Sequence, residues 1–197
     1  VRHPDIPIIL DVKRGDIGNT QKQYACACFD RTFADAVTYS PYMGEDTYTG
    51  LKQDNKYSNK GFAGLCYTSN PTAREIQNLP IMENGQYKYL YEIMARIMYN
   101  WDRDNPNNGL VMAAAHQNGS EIMFQHLQKI REMVGNDMWF LIPGIGTQGG
   151  FVKETIKHAY TGPGSIVVNS SSGISYSSDP AQAAKNLKDQ MNQFLGQ

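Results

Sequence analysis

The sequence predicts an α/β fold built on a buried parallel sheet, and three observations carry that expectation. Short β-branched or apolar runs recur along the chain, a polar turn follows each, and a segment of helical periodicity follows each turn. Near-continuous apolar strands separated by helices suit a parallel sheet covered on its faces, in a doubly wound or a barrel arrangement. With 197 residues, 41% of them hydrophobic, the chain can fill one sizeable core, so a single domain over 1–197 is expected.

The elements follow in order. Ile6–Lys13 reads as the first strand and Asn19–Phe33 as its helix. Ala36–Met43 is the second strand, with a short helix at Glu45–Gln53. Phe62–Thr68 is the third, and the irregular stretch Ser69–Lys88 behind it carries Asn84-Gly85, a tight-turn dipeptide that predicts a small hairpin. A helix at Tyr89–Arg103 leads to a fourth strand, Gly109–Ala115. Ser120-Glu121 is expected to open the next helix, Ser120–Val134, and Gly135 to end it. Met138–Ile145 and Ser165–Ser171 are the last two strands, with a helix at Phe151–Tyr160 between them. Asp179-Pro180 offers an N-cap acceptor and a first-turn proline for the final helix, Pro180–Leu195. Six βα units result, whereas a (β/α)8 barrel has eight and about 250 residues. The chain is thus either an open six-stranded sheet or the later three quarters of a barrel whose first two units lie outside the sequence given.

Composition excludes several functions. Lys plus Arg total 18 against 19 Asp plus Glu, so no basic field is available to hold nucleic acid. No run of 18 apolar residues exists and the N-terminus has no basic stretch followed by an apolar one, which argues against membrane spans and a signal peptide and for a soluble, cytoplasmic protein. Three cysteines are too few for a disulfide scaffold or a structural zinc site, and Cys26 and Cys28 read as small buried hydrophobes. His3, His116, His126 and His158 have no companions at metal or triad spacing and read as structural or solvated, while Tyr91, Met94, Met98, Tyr99 and Trp101 read as helix packing.

Two stretches carry chemistry. In Ile8-Ile9-Leu10-Asp11-Val12-Lys13-Arg14-Gly15-Asp16, ionisable side chains interrupt the end of an apolar strand, and period two puts Asp11 and Lys13 on one face with Leu10 and Val12 on the other. At the carboxyl end of a parallel strand that face meets ligand, although a buried ion pair that only satisfies itself has the same pattern. In Pro143-Gly144-Ile145-Gly146-Thr147-Gln148-Gly149-Gly150, four glycines run into a helix, an arrangement that suits a phosphate and equally a tight strand-to-helix connection.

Together these stretches resemble a known family. Asp11-Val12-Lys13-Arg14-Gly15-Asp16-Ile17 with Thr20 is similar to the Asp-x-Lys-x-x-Asp-Ile signature of orotidine 5'-phosphate decarboxylases, and Pro143–Gly150 resembles their phosphate loop. Thr68-Ser69-Asn70-Pro71 and Val168-Asn169-Ser170-Ser171 resemble two further family segments at the right strand ends. The resemblance implies a (β/α)8 TIM barrel, of which this chain supplies about six units, strands three to eight. It also implies loss of CO2 from orotidine 5'-monophosphate to give UMP, with no metal and no cofactor. Asp11, Lys13 and Asp16 match the second to fourth members of the family's catalytic tetrad, Lys13 being the proton donor and Asp16 reaching across a homodimer. Ile17 and Thr20 match contacts to the neighbouring subunit's nucleotide. Ser69 matches the serine at the pyrimidine edge, Gln148 the glutamine at phosphate and base, and Pro143, Gly144, Gly146 and Gly149 the phosphate loop. Ser172 stands where the family usually has a phosphate-binding arginine, which implies a weakened grip on substrate. In several organisms the family occurs fused to orotate phosphoribosyltransferase. Two rivals remain: a nucleotide-binding barrel without turnover, and a Mg²⁺-dependent sugar-phosphate enzyme of the superfamily that would use Glu45 or Asp46.

Overall fold

The computed structural model describes residues 5–54, 56–118, 121–145 and 149–195. Six parallel strands form one sheet in sequential order: β1 (Ile9–Arg14), β2 (Ala36–Tyr39), β3 (Gly61–Tyr67), β6 (Asn108–Met112), β9 (Trp139–Pro143) and β10 (Ile166–Asn169). All six coincide with the expected runs, with ends that differ by no more than four residues. The helices between them are α1 (Gly18–Cys26), prolonged by a π-helical turn over Ala27–Arg31, α2 (Glu45–Lys52), the short α3 (Arg74–Gln77), α4 (Leu90–Trp101), α5 (Gln125–Val134), α6 (Gly149–Ala159), the short α7 (Ser171–Ser175) and α8 (Pro180–Leu195).

Core composition decides between the doubly wound and barrel arrangements. The large apolar cluster holds Phe62, Leu110, Met112, Phe140 and Ile142 from alternate strand positions together with residues of six helices, among them Phe29, Leu51, Met98, Leu127, Ile156 and Phe194. The intervening strand residues Ile9, Ala63, Leu65, Val111, Trp139 and Leu141 form a second, smaller cluster with no helix in it. One sheet face therefore meets these six helices and the other meets only itself, as in a barrel, where inward side chains fill the interior. Close packing on that inner face uses a glycine: a Cβ at Gly109 would lie 2.6 Å from the Trp139 ring.

Arg131 fastens the opposite end of the sheet. It is buried, lies 3.7 Å from the Phe140 ring centroid, and donates hydrogen bonds to the carbonyls of Gly135, Met138, Ala159 and Ser165 at 2.7–2.9 Å. One guanidinium thus closes the C-termini of α5 and α6 and the starts of β9 and β10.

Two small hairpins decorate the sheet. Strands β4 (Pro80–Glu83) and β5 (Gln86–Tyr89) pair antiparallel across Asn84 and Gly85, both at positive φ (50° and 79°), the type I′ geometry that Asn-Gly favours. The second hairpin corrects an expectation. Helix α5 does not open at Ser120-Glu121, because Glu121–Met123 forms β8, which pairs with β7 (His116–Asn118), and the helix starts at Gln125. The sequence Asn118-Gly119 carries the same turn chemistry as Asn84-Gly85 and prevails over the capping signal. Ser171, expected to end the last strand, instead opens α7. The expected caps at Asp179, whose carboxylate accepts from the Gln182 N–H at 2.9 Å, and at Gly135 (φ 56°) are present.

Candidate active site

Asp11 and Lys13 lie on β1, Pro143 ends β9, and the other described candidates lie in the loops and first helical turns that follow β1, β3, β9 and β10. At the end of β1, Leu10 and Val12 pack on the helix-side core while Ile9 joins the inner cluster, so Asp11 belongs to the inner face, as period two predicts. The Lys13 ammonium donates to both Asp11 oxygens, at 2.6 and 2.7 Å. The two side chains are 45% and 50% exposed at the edge strand of the sheet.

Thr38 on β2, which sequence reasoning passed over, holds this pair in shape. Its fully buried hydroxyl donates to Asp11 Oδ1 at 2.7 Å and accepts the Lys13 backbone N–H at 2.9 Å. Lys13 has φ 48°, a conformation that L-residues adopt at a cost and keep where their surroundings impose it. The β1–β2 register slips between Leu10 and Arg14 at the same place. Burial pushes the Asp11 carboxyl up, but hydrogen bonds from Lys13 and Thr38 and the ammonium charge outweigh it and hold the group below the usual carboxylate range. The only sequence signal for Thr38 is a hydroxyl in a strand whose four residues are all buried, because buried hydroxyls need partners.

Asp16 follows β1 and accepts the Ile17 N–H at 2.8 Å; Ile17 is the N-cap of α1, and both Ile17 and Thr20 are exposed. Across the sheet, Ser69, Pro143, Gly144, Asn169 and Ser172 line one cavity of about 500 Å³. Gly144 has φ 87°, and a Cβ there would stand 3.6 Å from Ser69 Cβ, so the ends of β3 and β9 meet over this cavity. Gly149 is the first residue of α6. Gly146 and Gln148 lie outside the described residues. Among the described residues no Lys, Arg or His lines the cavity, so the position of Ser172 carries no compensating cation nearby. The Asp11–Lys13 pair lies on the opposite edge strand and is not part of that wall.

Among the described residues no cluster of three His, Cys, Asp or Glu is arranged to hold a metal ion, and no helix is long and apolar enough to cross a membrane. Cys28 is buried as expected and Cys66 is buried too, but Cys26, expected to be buried, is half-buried beside Tyr57 and Lys56, at 3.5 and 3.8 Å. His126 is buried with a ring nitrogen 2.7 Å from the Ala113 carbonyl.

The sequence profile of the orotidine 5'-phosphate decarboxylase / HUMPS family matches residues 1–187. The chain belongs to that family. It is 41% identical to the orotidine 5'-phosphate decarboxylase of Cupriavidus metallidurans across 98% of this chain and 67% of that enzyme. Its fold superposes on the OMP decarboxylase of Leishmania donovani with a TM-score of 0.81 at 32% identity, over 98% of this chain and 69% of the other. It also matches the UMP synthase of the same organism with a TM-score of 0.80 at 34% identity, over 98% of this chain and 40% of that longer one. The chain is a decarboxylase by descent, and its six-stranded sheet is part of a (β/α)8 barrel.

Proposed function

We propose that this chain contributes the active site for decarboxylation of orotidine 5'-monophosphate to UMP, without metal or organic cofactor, and that Lys13 is the proton donor. The observation that carries the reading is the Asp11–Lys13 pair, half-exposed at the end of β1 and held by a buried hydroxyl, in a chain 41% identical to an enzyme of that name. The C6–carboxylate bond breaks, CO2 leaves, and the electron pair stays on C6, where the pyrimidine ring delocalises it poorly. A fixed ammonium beside C6 stabilises that charge and then gives it a proton. Asp11 keeps Lys13 oriented and crowds the substrate carboxylate. Asp16 completes the charge alternation from a second copy of the chain, where Ile17 and Thr20 also touch nucleotide. The Pro143–Gly149 segment, with Gly144, Gly146 and Gln148, and the N-terminus of α6 hold the phosphate, and Ser69 reads the pyrimidine edge. Binding energy from the phosphate, remote from the breaking bond, is then available to order the centre and exclude water.

Both edges of the sheet, β1 and β10, lack a strand partner among the described residues. In this reading further βα units close the barrel between them. The cation-free wall around Ser172 supports a second reading, a barrel that binds UMP weakly and turns over slowly. Ultraviolet assay of orotidine 5'-monophosphate with wild type and Lys13→Ala tests the proposal. Loss of turnover with retained UMP binding supports it, and near-normal turnover in the variant overturns the role of Lys13.

A further inference from the structure

A second cleft lies on the helix side of the sheet. Strand β3 alternates regularly until Cys66, where Leu65 pairs with Val111 but Tyr67 with Met112, so that one extra residue is inserted. Such a bulge re-aims the next side chain. Tyr67, which strict alternation would put on the inner face with Ala63 and Leu65, instead packs in the helix-side core. There it starts a three-ring stack: Tyr67 on Tyr91 at 4.3 Å between centroids and 15°, and Tyr91 with Tyr89 at 5.9 Å and 23°. Tyr67 and Tyr91 are buried, whereas Tyr89 at the end of the stack is 45% exposed.

All three rings face a cavity of about 390 Å³, a volume in the range of small-molecule sites. Two cations share its wall. Arg74 meets the Tyr67 hydroxyl, and Lys129 is anchored at 2.8 Å by Glu92, which is itself buried. Among the described residues no Asp or Glu lines the cavity; Glu92 balances Lys129 from behind, so the net positive charge of the wall comes from Arg74. Asn78 also lines it. An unfinished aromatic stack and two cations converge on one space.

We propose that this cleft is a second binding site, separate from the strand-end site, for a planar aromatic anion of roughly nucleotide size, its ring extending the stack on Tyr89 and its anionic group held by Arg74 and Lys129. Aromatic faces bind planar rings with little regard to identity, and a guanidinium grips phosphate or carboxylate in two-point fashion. The site does not depend on the decarboxylase reading.

The test uses the full chain and adenosine 5'-monophosphate as probe, followed by backbone amide NMR shifts. Saturable shifts at Arg74, Asn78 and Tyr89–Tyr91 are expected. Adenosine and ribose 5-phosphate, each with half the recognition, should bind at least about tenfold more weakly, and Arg74→Gln should cost a similar factor. Tyr89→Leu is the second variant if the first does not fold, with the same expected loss. Shifts confined to Ser69, Gly144 and Ser172, no saturable binding, or unchanged affinity in a folded variant would overturn the proposal. A failure of turnover at Lys13 would leave every one of these readouts in place.

Discussion

Replacing Thr38 by valine keeps the shape of a fully buried side chain and removes its hydroxyl. Two interactions go: donation to the Asp11 carboxylate at 2.7 Å and acceptance of the Lys13 N–H at 2.9 Å. A hydrogen bond to a charged group contributes about 1.5–3 kcal/mol, and a buried donor left unmatched costs about 1–3 kcal/mol. Asp11 and Lys13 are about half exposed, so water recovers part of both, and a net loss of about 2 kcal/mol is expected. The loss has a pH signature. Asp11 titrates below its ordinary value, so its contribution to stability is present above that value and fades as pH falls through the folded-state titration. Thr38→Val should raise the Asp11 titration, and the stability gap between the two proteins should narrow in acid. Urea unfolding against pH, with carboxyl ¹³C NMR of Asp11, reads both effects. The same loosening of Lys13, whose φ of 48° the Thr38 bond supports, should lower kcat about tenfold or more, because each 1.4 kcal/mol of transition-state stabilisation is a factor of ten. Thr38→Ser should recover most of each change. Unchanged Asp11 titration and unchanged kcat in a folded Thr38→Val protein would refute the argument that Thr38 fixes the pair.

Three other outcomes are expected. Ser172→Arg puts a two-point donor in the cation-free cavity wall and should tighten UMP binding by about 1.5–3 kcal/mol, read by calorimetry. Arg131→Met strands four carbonyls at the base of the sheet and should cost at least about 3 kcal/mol of unfolding free energy, whereas a loss below about 1 kcal/mol would contradict the fastening role. Burial, partly offset by the Ala113 carbonyl, lowers the His126 pKa from 6.5 to about 4. The folded state then refuses a proton that the unfolded chain accepts, so stability should fall as pH drops from 6.5 towards 4, by on the order of 2–3 kcal/mol, and His126→Gln should flatten that slope in denaturation midpoints.

What the sequence discloses here follows from which interactions are local. Strand and helix order is written in periodicity, and the β4–β5 turn in the φ preferences of Asn84 and Gly85, so both were legible. The Asp11–Lys13 pair was legible because period two holds through Val12 and the two side chains meet although Lys13 leaves the regular strand conformation, and Ser69, Gly144 and Ser172 were brought to one cavity as their strand-end positions implied. Thr38 was not legible, since its two partners are 25 and 27 residues away and meet it only through sheet pairing. The bulge that turns Tyr67 towards the helices was hidden for the same reason, being a property of the β3–β6 register. At Ser120-Glu121 two local signals competed, and the hairpin prevailed over the cap.

The most direct test of the central claim is the ultraviolet change of orotidine 5'-monophosphate incubated with the purified wild-type chain and with Lys13→Ala, chelator present in both. Decarboxylation by the wild type is expected to persist in chelator and to disappear in the variant, while UMP still binds both. A wild-type rate abolished by chelator, or a variant as fast as the wild type, would contradict the claim.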